Sequence, residues 1–191
     1  MAVIKIKLVV MGDSDVGKSA ILHRFIEGTF TDGEKPANPQ KGVFLNKDIT
    51  VDKQQVHFDI VDLAFDVEAT ASDFQGARAG IAVFDYSNPD TLKNTKNQLG
   101  LANRFVSGPS FASYIVGNKT DLEKKTDDAE VNSTVTSANA TKLYQISAKT
   151  GDGINEMFED IAKAVLATDK PAKEEKGGKK KGEKKGGCAF L

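Results

Sequence analysis

Between Met11 and Ala20 the chain reads Gly12-Asp13-Ser14-Asp15-Val16-Gly17-Lys18-Ser19. This G-x-x-x-x-G-K-[ST] spacing works only with a strand before it and a helix after it. There the loop N–H groups and the helix N-terminus converge on phosphate oxygens. Both flanks suit it. Residues 3–10 alternate lysine with β-branched and apolar residues and read as a strand, and residues 18–27 place Ile21, Leu22, Phe25 and Ile26 on one helical face. In such a loop the backbone wraps the α- and β-phosphates, Lys18 reaches the β- and γ-phosphates, and the Ser19 hydroxyl ligates Mg²⁺. Asp13 and Asp15 are unfavourable in a loop built for a polyanion, Asp15 the more so by spacing.

The periodicity keeps alternating after the loop. Residues 28–42 hold Pro36, Asn38 and Pro39 and read as a long connection. Residues 43–51 and 56–61 predict two strands of a hairpin joined by Asp52–Gln55. Residues 80–85 and 111–117 are short apolar runs with both faces covered, and a helix is expected between them over 90–102. Residues 127–141 are rich in Asp, Asn, Ser and Thr, a poor helix by propensity, so any helix there is short or held by packing. A last strand over 143–146 and a helix over 155–167 with an apolar stripe complete the body. The expectation is an α/β fold of the P-loop NTPase kind. Its mostly parallel six-stranded sheet has one antiparallel edge strand and helices on both faces.

Charge divides the chain in two. The formal net charge is −1, but residues 169–187 carry eight lysines against four acidic residues, which leaves the first 168 residues at −5. A mildly acidic body argues against nucleic acid as a partner, since phosphate contacts need a basic face. No apolar run approaches the length of a bilayer span, and no leader is expected at Met1–Met11. The single cysteine, Cys188, excludes an internal disulfide and a CxxC zinc site. One domain is expected over 1–168. Residues 169–191 form a tail too poor in apolar groups to offset the entropy of ordering.

A phosphate loop alone leaves ATPases and kinases open. Two further motifs narrow it: Asn118-Lys119-Thr120-Asp121 after the strand at 111–117, and Ser147-Ala148-Lys149 after the last strand. Together the three resemble the Ras superfamily of small guanine-nucleotide-binding proteins over residues 3–168. Gly12-Asp13-Ser14, the stretch from Phe25 to Asp32 and Ser147–Gly151 are most similar to the Rab branch. By that resemblance the Asp121 carboxylate accepts from guanine N1–H and the 2-amino group, donors that adenine lacks. Asn118 bridges the base and the phosphate loop. The Lys119 stem covers one face of the ring, Phe30 caps the nucleotide, and the Ala148 N–H meets O6. Asp62 holds a water of the Mg²⁺, and the bound nucleotide is GTP or GDP.

The resemblance breaks at the groups that sense the γ-phosphate. The family's first switch carries a Pro-Thr pair, which falls here on Pro36-Ala37, and residues 32–49 contain neither Thr nor Ser. The second switch normally reads D-T-A-G-Q; here it is Asp62-Leu63-Ala64-Phe65-Asp66. Phe65 replaces the glycine whose N–H approaches the γ-phosphate, and Asp66 replaces the amide that positions the attacking water. Asp66 is read as an exposed loop residue in preference to a rewired catalytic base.

Cys188-Ala189-Phe190-Leu191 fits a C-a-a-X prenylation box, with Lys179–Lys181 and Lys184–Lys185 as a cationic second signal. Paired cysteines are commoner in the Rab branch, so the box also suits a Ras- or Rho-like protein. The expected function is guanine nucleotide binding on the cytosolic face of a membrane, in vesicle transport or signalling, with weak or absent GTP hydrolysis. Exchange-factor or effector proteins are the implied partners. A nucleotide-binding interaction module that hardly hydrolyses GTP is the rival reading, and a GDP-locked or empty site the third.

Overall fold

The strand that leads into the phosphate loop, β1 (Ile4–Gly12), is apolar on both faces over its second half. In the computed structural model, which describes residues 3–31, 43–63, 69–106 and 111–169, Ile6, Leu8 and Val10 enter one core and Val9 and Met11 another. A central strand with helices on both sides requires such two-sided burial. Around it lie β2 (Val43–Val51), β3 (Gln54–Asp62), β4 (Ala77–Asp85), β5 (Ala112–Asn118) and β6 (Lys142–Gln145), in the order β2-β3-β1-β4-β5-β6. Only the β2–β3 pair is antiparallel. The mostly parallel six-stranded sheet with one antiparallel edge strand is therefore as expected.

Helices α1 (Lys18–Glu27) and α6 (Ile154–Asp169) cover one face. There Phe25 stacks on Phe158 at 3.6 Å between centroids, and Phe58 meets both rings edge-on. The other face is covered by α2 (Ala71–Phe74), α3 (Asp90–Lys93), α4 (Thr95–Phe105) and α5 (Asp128–Ser137). Because α1, which follows β1, covers one face and α2, which follows the neighbouring β3, covers the other, a crevice opens at the carboxyl ends of these strands. Gly12, Asp62, Asp85 and Asn118 are the last residues of β1, β3, β4 and β5, so the topology delivers all four to one edge.

Three local expectations change, and one left open is decided. The hairpin turn is the two residues Asp52-Lys53, at φ 49° and 65°, and not the four residues Asp52–Gln55. A two-residue turn of positive φ matches the right-handed twist of its strands. The single helix expected over 90–102 is two, parted at Asn94. Beside the break, the Thr95 hydroxyl donates to the Leu92 carbonyl at 2.7 Å, and the Asn94 amide turns to Asp13. Helix α5 runs ten residues despite its composition. The Asp127 carboxylate caps the Ala129 N–H, Thr134 and Thr136 hydroxyls bond carbonyls of their own helix, and Val131 is buried. Helix α2, absent from the sequence reading, rests on a Thr70–Asp73 capping box and on Phe74 stacked against Phe105.

Candidate functional site

Two glycines make the loop between β1 and α1 possible. Gly12 has φ 152°, and a Cβ there would lie 2.6 Å from the Val83 carbonyl oxygen on β4. Gly17 has φ 92°, and its Cβ would lie 2.4 Å from Nδ2 of Asn118. The loop thus presses against two neighbouring strands where no side chain fits. Lys18 folds back along the loop and donates to the Gly12 and Asp13 carbonyls, both at 2.8 Å.

The two acidic loop residues resolve differently. The Asp13 carboxylate turns out of the loop and accepts from Asn94 Nδ2 at 2.8 Å and Gln98 Nε2 at 3.0 Å. Its charge is spread into two amides of the α3–α4 region. Asp15 is exposed at φ 61°, a conformation Asp tolerates better than most residues, and its carbonyl accepts from Lys119 Nζ at 2.7 Å. Ser14 is exposed and Val16 buried beneath the loop.

At the head of α1 the Ser19 hydroxyl donates to Asp62 Oδ2 at 3.1 Å. The other oxygen, Oδ1, is buried without a hydrogen-bond partner. Burial raises the Asp62 carboxyl above its usual range, opposed by the Lys18 charge and the Ser19 hydrogen bond. A hard cation near Ser19 and Asp62 would relieve both the orphaned oxygen and the desolvated charge. Hydroxyl, carboxylate and water oxygens are the donors Mg²⁺ accepts, so this pair fits the ion.

Asn118, only 1% exposed, joins the three motifs. Its Nδ2 donates to the Val16 carbonyl at 2.9 Å, and its Oδ1 accepts from the Ala148 N–H at 3.0 Å. Lys119, at φ 64°, pairs with Asp85 at 2.7 Å. Asp121 is exposed and accepts from the Ser147 hydroxyl at 2.5 Å. Phe30 is half-buried and packs against the core, with the Arg24 guanidinium 5.9 Å from its ring centroid. Lys149 is exposed, its carbonyl taken by Arg24.

The structure therefore brings together the phosphate loop, Ser19 with Asp62, and the Asn118 and Ser147 segments. Pro36, Ala37, Phe65, Asp66, the lysine run and Cys188 lie outside the described residues. Two residues of the site lie outside the sequence motifs. Asp85 is 6% exposed; besides Lys119, its carboxylate accepts from the Ser87 N–H and hydroxyl. A carboxylate ending an apolar strand was the available signal. Arg24 bonds the carbonyls of the Ser147 segment, and nothing in a helical lysine-arginine pattern announces that.

A family model described as Ras family matches residues 7–167, a span that takes in the phosphate loop, Asp62 and the Asn118 and Ser147 segments. The GTP-binding protein YPT52 of Saccharomyces cerevisiae (strain ATCC 204508 / S288c) is 29% identical over 195 residues, covering 85% of this chain and 82% of that protein.

Proposed function

The chain belongs to the Ras family, and from that premise we propose that it is a Rab-like guanine nucleotide-binding protein whose intrinsic GTP hydrolysis is weak or absent. The observation that carries the nucleotide reading is the placement of Asn118, which ties the phosphate loop to the Ser147 segment through two hydrogen bonds of one buried amide. That join holds the phosphate end and the base end at a set separation. Gly12–Ser19 would take the phosphates, and Asn118, Lys119, Asp121, Ser147, Ala148, Lys149 and Phe30 the nucleoside. Ser19, with Asp62 through a water, would hold Mg²⁺, which when bound supplies charge neutralisation at the β- and γ-phosphate oxygens. Lys18 would add its fixed positive charge there. The domain spans 1–168, and residues 169–191 tether it to a membrane through a prenyl group on Cys188 and the lysines.

Titration of the purified protein with fluorescent GDP, GTP, ADP and ATP tests the base assignment. Tight binding of the guanine forms alone is expected, because an adenine would leave the Asp121 carboxylate unpaired. Equal affinity for all four, or for none, overturns it. Asp121→Asn should weaken guanine binding and favour xanthine, whose 2-oxo group needs a donor.

A second reading has its own support. Residues 32–49 contain no hydroxyl side chain, and Phe65 and Asp66 stand where the family has Gly and Gln. A protein with such switch segments suits a constitutive interaction module, which shows partners the same face with either nucleotide.

A further inference from the structure

Arg24 lies in the last turn of α1, outside the three sequence motifs, and its guanidinium makes three hydrogen bonds to backbone. Nε donates to the Ala148 carbonyl at 2.9 Å, one terminal nitrogen to the Lys149 carbonyl at 2.5 Å, and the other to the Gly28 carbonyl at 2.8 Å. The same group lies 5.9 Å from the centroid of the Phe30 ring. One side chain thus holds the Ser147-Ala148-Lys149 segment and the turn that carries Phe30, segments more than a hundred residues apart in sequence.

We infer that Arg24 is a positioning residue for the guanine base, acting as a brace that keeps the Ala148 segment and Phe30 at a set distance across it. The inference rests on the guanine-binding reading above and adds a residue to it. Peptide planarity carries the effect. With the Ala148 carbonyl drawn to Arg24, the trans peptide aims the Lys149 N–H the opposite way. Within the segment the Gly151 N–H bonds the Ser147 carbonyl at 2.8 Å and the Thr150 N–H bonds the Ser147 hydroxyl at 3.1 Å, while Asn118 and Asp121 hold it on the β5 side. Arg24 ties the α1 side of this turn to the helix. Only a planar fork with N–H groups on three nitrogens reaches all three carbonyls; an ammonium on a lysine stem keeps the charge and loses the geometry.

The test measures GDP release from the full-length protein and from Arg24→Lys and Arg24→Met, using GDP and 6-thio-GDP, in which the O6 acceptor is weakened. Both variants should release GDP faster by about 10- to 100-fold, the loss of one or two charge-assisted hydrogen bonds. The wild type's preference for GDP over 6-thio-GDP should shrink in the variants, because the Lys149 N–H, which the Arg24 bond to the Ala148 carbonyl aims toward the base, is no longer held. A general loss of stability would speed both ligands equally and leave the preference unchanged. Release within twofold of wild type, or faster release with the full preference kept, overturns the brace. If Arg24→Met does not fold, Arg24→Lys, which keeps stem and charge, decides alone. A wild type that holds neither nucleotide overturns the guanine-binding reading and the brace with it; a normal wild type with unaltered variants overturns the brace only.

Discussion

At the scale of single residues, the site is governed by close approach more than by the number of polar groups. Asn118 reaches the phosphate loop only because Gly17 has no side chain: the missing Cβ would stand 2.4 Å from the Asn118 amide nitrogen. The positive φ of Gly17 adds a backbone penalty of about 1–2 kcal/mol for any L side chain. Gly17→Ala should therefore separate the two ends of the site by displacing Asn118 from the Val16 carbonyl. The expected outcome is a loss of guanine nucleotide affinity of at least about tenfold, which one lost hydrogen bond accounts for, read by fluorescent GDP titration. Gly28→Ala is the control. It also has positive φ, 75°, but a Cβ there meets nothing within 4 Å, so it should cost stability without a comparable loss of affinity. Equal affinity losses at the two positions would show that backbone strain, not contact with Asn118, governs the site.

At the scale of elements, the β2–β3 hairpin carries a charge cluster that sets a pH dependence of stability. His57 on β3 lies opposite Asp48 on β2, with Nδ1 and Oδ1 2.5 Å apart, and its Nε2 is 3.2 Å from Asp59. Lys5 is its neighbour across β1. The Asp48 hydrogen bond, more than the Asp59 charge, raises the His57 pKa above 6.5, against a smaller opposing effect of burial. A raised histidine favours the folded state while protonated. Its contribution is complete below about pH 6.5, the unfolded value, and disappears as pH climbs through the higher folded value. His57→Gln should thus lower Tm more at pH 6 than at pH 8.5, and Asp48→Asn should remove most of that difference. Thermal melts at the two pH values check it; a pH-independent loss would assign the effect to packing. The hairpin also shows what was legible in the sequence. Alternation located β2 and β3, because half-buried strands must alternate. It could not choose between a four-residue and a two-residue turn, since Asp52 and Lys53 are not glycines and their positive φ leaves no compositional trace. Helix α5 was obscured for a related reason: its stability comes from a cap and a few buried contacts, and neither shows in summed propensity. That the three motifs meet at one sheet edge was legible because each follows a strand in the pattern, and the fold brings those strand ends together. Arg24 and Asp85 were not, since they act through carbonyls and a lysine brought near only by the fold.

At the scale of the whole molecule, the proposed anchor and the proposed lack of switching make separate demands. Among the described residues no helix is long and apolar enough to cross a membrane, so membrane association would fall to Cys188 and the lysines of the tail. Cys188→Ser should shift the protein from the membrane to the soluble fraction of its native cell. Replacing Lys179–Lys181 and Lys184–Lys185 with Gln should shift it part of the way, with an effect that shrinks at high salt. Turnover is the sharper question. The groups proposed to bind a nucleotide whatever its phosphate count (Lys18, Ser19, Asn118, Asp121) are anchored to the phosphate loop, the sheet edge and the Ser147 segment. In the proposed reading, Ala37, Phe65 and Asp66 take the positions that report a third phosphate and lack the hydroxyl, the glycine and the amide that do so in the family pattern. Without that hydroxyl, closing the first switch gains no contact specific to GTP. Without that amide, the attacking water receives no hydrogen bond that strengthens in the transition state. Two charge-assisted hydrogen bonds at about 1.5–3 kcal/mol each correspond to a rate lower by roughly two to four orders of magnitude. Single-turnover hydrolysis of bound GTP should be slower than in a conventional small GTPase by that factor, and GDP and a non-hydrolysable GTP analogue should bind with similar affinity. Ala37→Thr, Phe65→Gly and Asp66→Gln made together should restore turnover and separate the two affinities. Ordinary hydrolysis in the wild type, abolished by Asp66→Ala, would instead make the Asp66 carboxylate a working base, because only a group that touches the attacking water can carry the rate with it when removed.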